Sequence, residues 1–221
     1  MRITAAEVAA LSLSIKVALL SLVVTFPLGL LVGWLLAKRT FPGKAFLNTL
    51  VMLPLVLPPI VSGYLLLILL GKHGFIGRFI YQTFGIEIVF SELSVVIAVS
   101  VISFPLLVRG IVTGMEAVPV ELENAARTLG ASPIKVFFTI TLPMAHRGVI
   151  GGTILGFSKS LGEFGATIMV AGNIPGKTQT MALAIFSAVH LGEDVSVYRL
   201  VLISTVVAFA AIWLTERFTL R

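Results

Sequence analysis

The chain has 221 residues, of which 57% are hydrophobic and only 12% charged, with a mean hydropathy of +1.08. A water-soluble domain carries about 25% charged residues, so a soluble enzyme is excluded and lipid must be the solvent for most of this chain. The net charge of +6 reads as a record of membrane topology rather than as a nucleic-acid footprint.

Cysteine is absent, which removes disulfides, thiolate nucleophiles and Cys-based metal sites together, and His73, His146 and His190 are too scattered to form a cluster. In chain order, residues 17–37 form the first uncharged run, 21 residues long, enough to cover a hydrocarbon core of roughly 30 Å at about 1.5 Å per residue. The run leads into Lys38 and Arg39 rather than into a small-residue cleavage site, so it reads as a membrane span and not as a signal peptide. Residues 45–71 form a second run, in which Pro54, Pro58 and Pro59 predict kinks. Residues 93–108 are a third, ended by Arg109; residues 148–171 a fourth, holding Lys159 and Glu163; residues 197–215 a fifth. Residues 178–191 are apolar but short, and read as an interfacial or re-entrant helix rather than a sixth crossing.

Five spans put the termini on opposite faces. With the N-terminus outside and the C-terminus cytoplasmic, nine of the sixteen basic residues, from Lys38 to Arg221, fall on the cytoplasmic side, six, from Arg2 to Arg199, fall outside, and Lys159 stays within the membrane.

Between the third and fourth spans the composition changes. Residues 120–129 have Leu122, Ala125, Ala126 and Leu129 at the spacing of one apolar helix face, with Glu123 and Arg127 on another. Gly130 suits a left-handed C-cap, and Ser132-Pro133 is an N-cap and N1 pair, so the segment predicts helix, sharp turn, helix. Such an elbow either docks in a partner's groove or lies on the headgroups with an ordinary Glu123–Arg127 ion pair.

The stretch from Glu123 to Gly130, followed by Ile140-Thr-Leu-Pro143, resembles the EAA loop of ABC-importer permeases, whose pattern is Glu-Ala-Ala, three residues, Gly, nine residues, Ile-x-Leu-Pro. Read from Glu123, Asn124 stands where the family favours Ala. The segments FPGK at 41–44, LPLVLPP at 53–59, ARTLGAS at 125–132, VFFTITLP at 136–143, SLGEFGAT at 160–167 and NIPGKTQT at 173–180 are similar to the molybdate-transporter permease family, in its shorter five-helix form.

The resemblance implies an all-α integral membrane protein of the type I importer fold: one transmembrane permease domain over residues 1–221, with a cytoplasmic coupling loop at 116–143. It implies no enzymatic activity in this chain and no cofactor, ATP and Mg being held by a partner. The implied partners are a second permease copy, two cytoplasmic ATP-binding subunits and an extracytoplasmic molybdate-binding protein, in a bacterial cytoplasmic membrane. Glu123, Ala125, Ala126, Arg127, Leu129, Gly130 and Pro143 are the implied coupling residues.

Residues 171–178, Ala-Gly-Asn-Ile-Pro-Gly-Lys-Thr, lie one glycine from a phosphate-binding P-loop, but they follow a membrane span rather than a strand, and no Asp-terminated strand is present to hold magnesium. ATP binding is therefore expected on another chain.

Lys159 and Glu163 lie one helical turn apart inside the fourth span, where ionisable groups face protein or a wet cavity. With Ser158, Ser160, Thr153 and Thr167 they form either a polar pathway face for a hydrated oxyanion or an internal ion pair that fixes helix packing. Of the glycines at 148, 151, 152, 156, 162 and 165, most are expected to pack helices closely. A tungstate or sulfate permease is the nearest rival function. A secondary transporter using Lys159 and Glu163 as a proton relay is a rival of another class, though no internal repeat supports it.

Overall fold

The structure, a computed structural model, describes residues 4–219; Arg2 and Arg221, which enter the charge balance above, lie outside them. Helix α1 (Ala5–Lys38) begins at a reciprocal capping box: the Thr4 hydroxyl accepts from the Glu7 amide at 3.3 Å and the Glu7 carboxylate accepts from the Thr4 amide at 2.8 Å. At about 1.5 Å per residue α1 is roughly 50 Å long, longer than the roughly 30 Å of a bilayer core.

The chain continues through α2 (Lys44–Val56), α3 (Pro59–Leu70) and α4 (Phe75–Phe84) to α5 (Glu92–Glu116). The elbow follows as α6 (Val120–Thr128), α7 (Pro133–Val136), a π-helical turn (Phe137–Thr141) and α8 (Leu142–Met144), and the fold closes with α9 (His146–Leu161), α10 (Gly165–Ala171), α11 (Met181–Leu191) and α12 (Asp194–Thr219). Among the described residues there is no strand.

Among the described residues, only α1, α5 and α12 are single helices long and apolar enough to cross a membrane, where the sequence predicts five crossings, the second of them kinked. The expected second span is α2 and α3 bent through 112°. Proline supplies no amide donor, and the residue before a proline is pushed out of the helical region, so the Leu57-Pro58-Pro59 run ends one helix and starts the next. The two pieces, of 13 and 12 residues, measure only roughly 20 Å each at about 1.5 Å per residue. The expected fourth span is likewise broken, α9 ending at Leu161 and α10 starting at Gly165. The segment read as interfacial or re-entrant forms α11, an 11-residue helix too short to cross alone.

Helix α5 is the axis of the packing. Its Val95, Val99 and Ile102 bury against Val17 of α1 and against Ala166 and Val170 of α10, while Leu107, Ile111 and Met115 pack with Phe26, Leu30 and Trp34 of α1 and with Val149 of α9. Helix α12 is mostly exposed; Glu7 of α1 accepts from Arg199 Nη2 at 2.9 Å and ties it to the bundle. Lys72, between α3 and α4, donates to Glu87, on the loop before α5, at 2.7 Å. That bond holds Glu87 below the usual carboxylate range and raises Lys72, although an exposed pair of this kind adds little stability.

The α5–α9 contact is glycine on glycine. A Cβ placed on Gly110 would lie 2.3 Å from the Gly152 Cα, and one on Gly148 would lie 2.3 Å from the Gly114 Cα, so backbone meets backbone with no room for a methyl group. Gly156 and Gly165 also pack closely, against Leu107 and Pro59, whereas Gly151 and Gly162 face open space. Gly110→Ala is therefore expected to destabilise the protein by about 1–3 kcal/mol as an overpacked core does, with Gly151→Ala close to neutral; melting of the detergent-purified chain reads both.

Candidate coupling elbow and charged break

The elbow forms as its residue types require. Gly130, at φ +85°, takes the left-handed position that ends α6. The Ser132 hydroxyl then accepts from the Lys135 amide at 3.3 Å to start α7 with Pro133 in its first turn. The sequence reading does not anticipate the π-helical turn at Phe137–Thr141; aromatic and β-branched residues there carry no signal that separates it from an ordinary helix.

The orientation of α6 is the main finding. Its apolar face points outward: Leu122 and Ala125 are exposed, and Leu129, just past the helix, is 88% exposed. Its carboxylate points inward. Glu123, expected on the polar face in an ordinary pair with Arg127, is buried, and its Oε1 accepts from the Thr141 hydroxyl at 2.6 Å and lies 3.2 Å from Lys38 Nζ. Arg127 comes no closer than 4.0 Å to Oε2 and also donates to Asn124 Oδ1 at 3.4 Å. Lys38 Nζ in turn donates to the Val118 carbonyl at 2.8 Å. One carboxylate thus joins the end of α1, the root of α6 and the π-helical turn. The sequence reading treats Lys38 only as a topology marker, because its partner lies 85 residues away and no local pattern connects them.

The side chains of Lys38 and Glu123 are 7% and 4% exposed. Removing one partner of so buried a pair costs far more than removing both, because the remaining charge keeps its desolvation penalty. Ala126 is half-buried under the helix, and Pro143 lies in α8, whose Thr141 cap carries the hydrogen bond to Glu123.

The six polar residues predicted for the fourth span do not share one face. Lys159 Nζ donates to Glu163 Oε2 at 2.9 Å, and Glu163, in the break between α9 and α10, also accepts through Oε1 from the Ala166 amide at 3.0 Å. The carboxylate therefore holds the start of α10 as well as the lysine. Ser160 is buried, donates to the Gly156 carbonyl at 2.9 Å and meets the Ser21 hydroxyl of α1 at 3.3 Å. Thr167 is buried with no hydrogen-bond partner for its hydroxyl. Ser158 lines a small cleft with Ser14 of α1 and Ser204 of α12, and Thr153 bonds back to the Val149 carbonyl. In the P-loop-like segment the Thr178 hydroxyl accepts from the Ile174 amide at 3.0 Å, closing a tight turn on itself.

The sequence pattern of the binding-protein-dependent transport system inner membrane component family matches residues 26–221. The chain belongs to that family. It is a membrane-embedded permease, a transport subunit of the ABC class. The molybdenum transport system permease protein ModB of Escherichia coli (strain K12) is 48% identical over 217 residues, covering 98% of this chain and 95% of that protein. The sulfate transport system permease protein CysT of Salmonella typhimurium (strain LT2) is 38% identical over 179 residues, covering 81% of this chain and 64% of that protein. Among solved structures, a bacterial alginate ABC transporter, in complex with an alginate pentasaccharide-bound periplasmic protein, superposes with a TM-score of 0.74 at 15% identity, covering 98% of this chain and 80% of that one. At that identity the likeness establishes the fold.

Counting the EAA pattern from its glycine shifts the register of the elbow. Counting back from Gly130, the three spacer residues are Arg127, Thr128 and Leu129 and the alanines are Ala126 and Ala125, so the glutamate of the pattern falls on Asn124. Alignment on Glu123 is one residue off. In the structure Asn124 is exposed beside Ala125, while Glu123 is turned inward.

Lys38→Met is expected to cost about 3–5 kcal/mol of stability by leaving Glu123 buried without its cation, and Lys38→Met with Glu123→Gln to recover most of that loss. Melting of the four proteins of the cycle measures it; a loss in the double variant equal to the sum of the two single losses would show that the pair contributes no coupling.

Proposed function

We propose that this permease is the membrane-spanning subunit of an ATP-driven molybdate importer. On this reading two copies enclose the pathway, two cytoplasmic ATP-binding subunits hydrolyse ATP with Mg, and an extracytoplasmic binding protein delivers the oxyanion. The elbow lies on the cytoplasmic side, with the N-terminus outside. The single observation that carries the coupling role is the inverted amphipathicity of α6, whose apolar face is exposed while its acid is buried. A helix resting on its own protein would bury the opposite face; one built to enter a partner's groove presents this one. Ala125, Leu129 and Gly130 form the contact, and Glu123, Ala126 and Pro143 hold it in place from beneath.

Molybdate is favoured over sulfate because the similarity to a molybdenum permease is higher and runs nearly end to end in both proteins, whereas the sulfate permease shares a shorter segment. Tungstate has the same tetrahedral dianion chemistry and is separated only by measurement. Lys159, with Ser158, Ser160, Glu163 and Thr167, remains the candidate pathway group. Pairing with Glu163 makes the lysine a weak anion site, which suits passage more than retention.

In vesicles carrying the chain with its ATP-binding subunit and loaded with binding protein, ATP-dependent molybdate uptake is expected, with sulfate taken up at least tenfold more slowly. Uptake that follows a proton gradient without ATP would instead favour a secondary transporter. Leu129→Asp is expected to abolish association with the ATP-binding subunit while the permease still folds. Lys159→Met separates the two roles of the charged break: a large fall in uptake with assembly intact supports the pathway role, and unchanged uptake removes it.

A further inference from the structure

Beside the elbow, α1 and the start of the next helix enclose a groove of about 340 Å³ with no polar side chain in its lining. Leu30, Leu31 and Trp34 of α1 form one wall and Ile134, Phe137 and Phe138 the other. Seven residues separate Pro27, at the deep end, from Trp34 at the other, so the groove runs roughly 10 Å along α1 at about 1.5 Å per residue. Leu31, Ile134 and Phe138 are all more than half exposed, so the slot opens sideways.

Each wall has a cation next to it in the chain or in space. The Arg39 guanidinium lies 4.7 Å from the centre of the Trp34 ring, and Lys135 follows Ile134 in the opposite wall, exposed. Among the described residues neither has a carboxylate within ion-pair distance, whereas Lys38 next door is fully engaged with Glu123. A tryptophan where an apolar slot meets a basic rim is the arrangement found at the headgroup level of a membrane, and basic pockets between membrane helices hold anionic headgroups.

We propose that this groove is a binding site for one anionic phospholipid of the leaflet on the elbow's side, an acyl chain filling the slot between α1 and Phe137–Phe138 and the phosphate held by Arg39 and Lys135. The wall formed by α7 and the π-helical turn also carries the Thr141 link to Glu123, so the lipid would brace the elbow against α1. The site depends on the membrane position of the elbow and not on the transported ion.

Because the chain has two tryptophans, Trp213→Phe leaves Trp34 as the sole reporter. The full chain is reconstituted into phosphatidylcholine vesicles doped with either brominated phosphatidylglycerol or brominated phosphatidylcholine, and quenching is read relative to the unquenched sample of the same variant. Half-maximal quenching is expected at a severalfold lower mole fraction of the anionic lipid. Arg39→Gln with Lys135→Gln, both at exposed positions, is expected to bring the two curves together. Identical curves for both lipids in the parent chain would overturn the site as a selective one, and quenching by neither would show that protein covers the groove.

Discussion

Buried charge is expensive unless it is paired and hydrogen-bonded, and the Glu123 carboxylate meets that requirement only because two distant pieces of chain converge on it. Lys38 arrives at the end of a long first helix, Thr141 from a π-helical turn, and the Val118 carbonyl takes a second proton of the lysine. With the acid satisfied inside, α6 turns Leu122 and Ala125, and Leu129 just past its end, outward. The exposed apolar elbow is therefore a consequence of where the acid is held, and its angle to the membrane helices is fixed by the same bonds.

The rest of the structure makes that elbow part of a stiff unit. Helix α5 leads into α6 through residues 117–119, and α5 is locked to α9 by glycines whose backbones touch at Gly110–Gly152 and Gly114–Gly148. A displacement of the elbow is passed to packed helices, which interdigitate and deform little, rather than being absorbed in a loop. At the far end of α9 the helix breaks, and Glu163 bridges the break by holding Lys159 on one side and the Ala166 amide on the other. The stiff path thus runs from one ion pair to another.

The apolar runs, the elbow's turn chemistry and the short α11 were legible from the residues, because hydrophobic length, a Gly C-cap and a Ser-Pro start are local signals. What was not legible is long-range. The partnership of Glu123 with Lys38 and Thr141 depends on how the helices fold back on one another, and an apolar stripe on α6 reads the same whether it faces in or out. The kink of the second crossing was legible in its prolines, though not its 112° angle; the break of the fourth at 162–164 was not, because hydropathy counts apolar residues without weighing glycine. The one-residue offset of Glu123 from the family pattern came from fixing the register on the acid rather than on Gly130.

The central claim is that the outward face of α6 meets the ATP-binding subunit while Glu123 works from beneath. The chain has no cysteine, so single cysteines at positions 123, 125 and 129 can be tested directly in the assembled complex with a short thiol-reactive photocrosslinker. Crosslinks to the ATP-binding subunit from 125 and 129, and none from 123, are the predicted result; crosslinking from 123 with none from 129 would contradict the account.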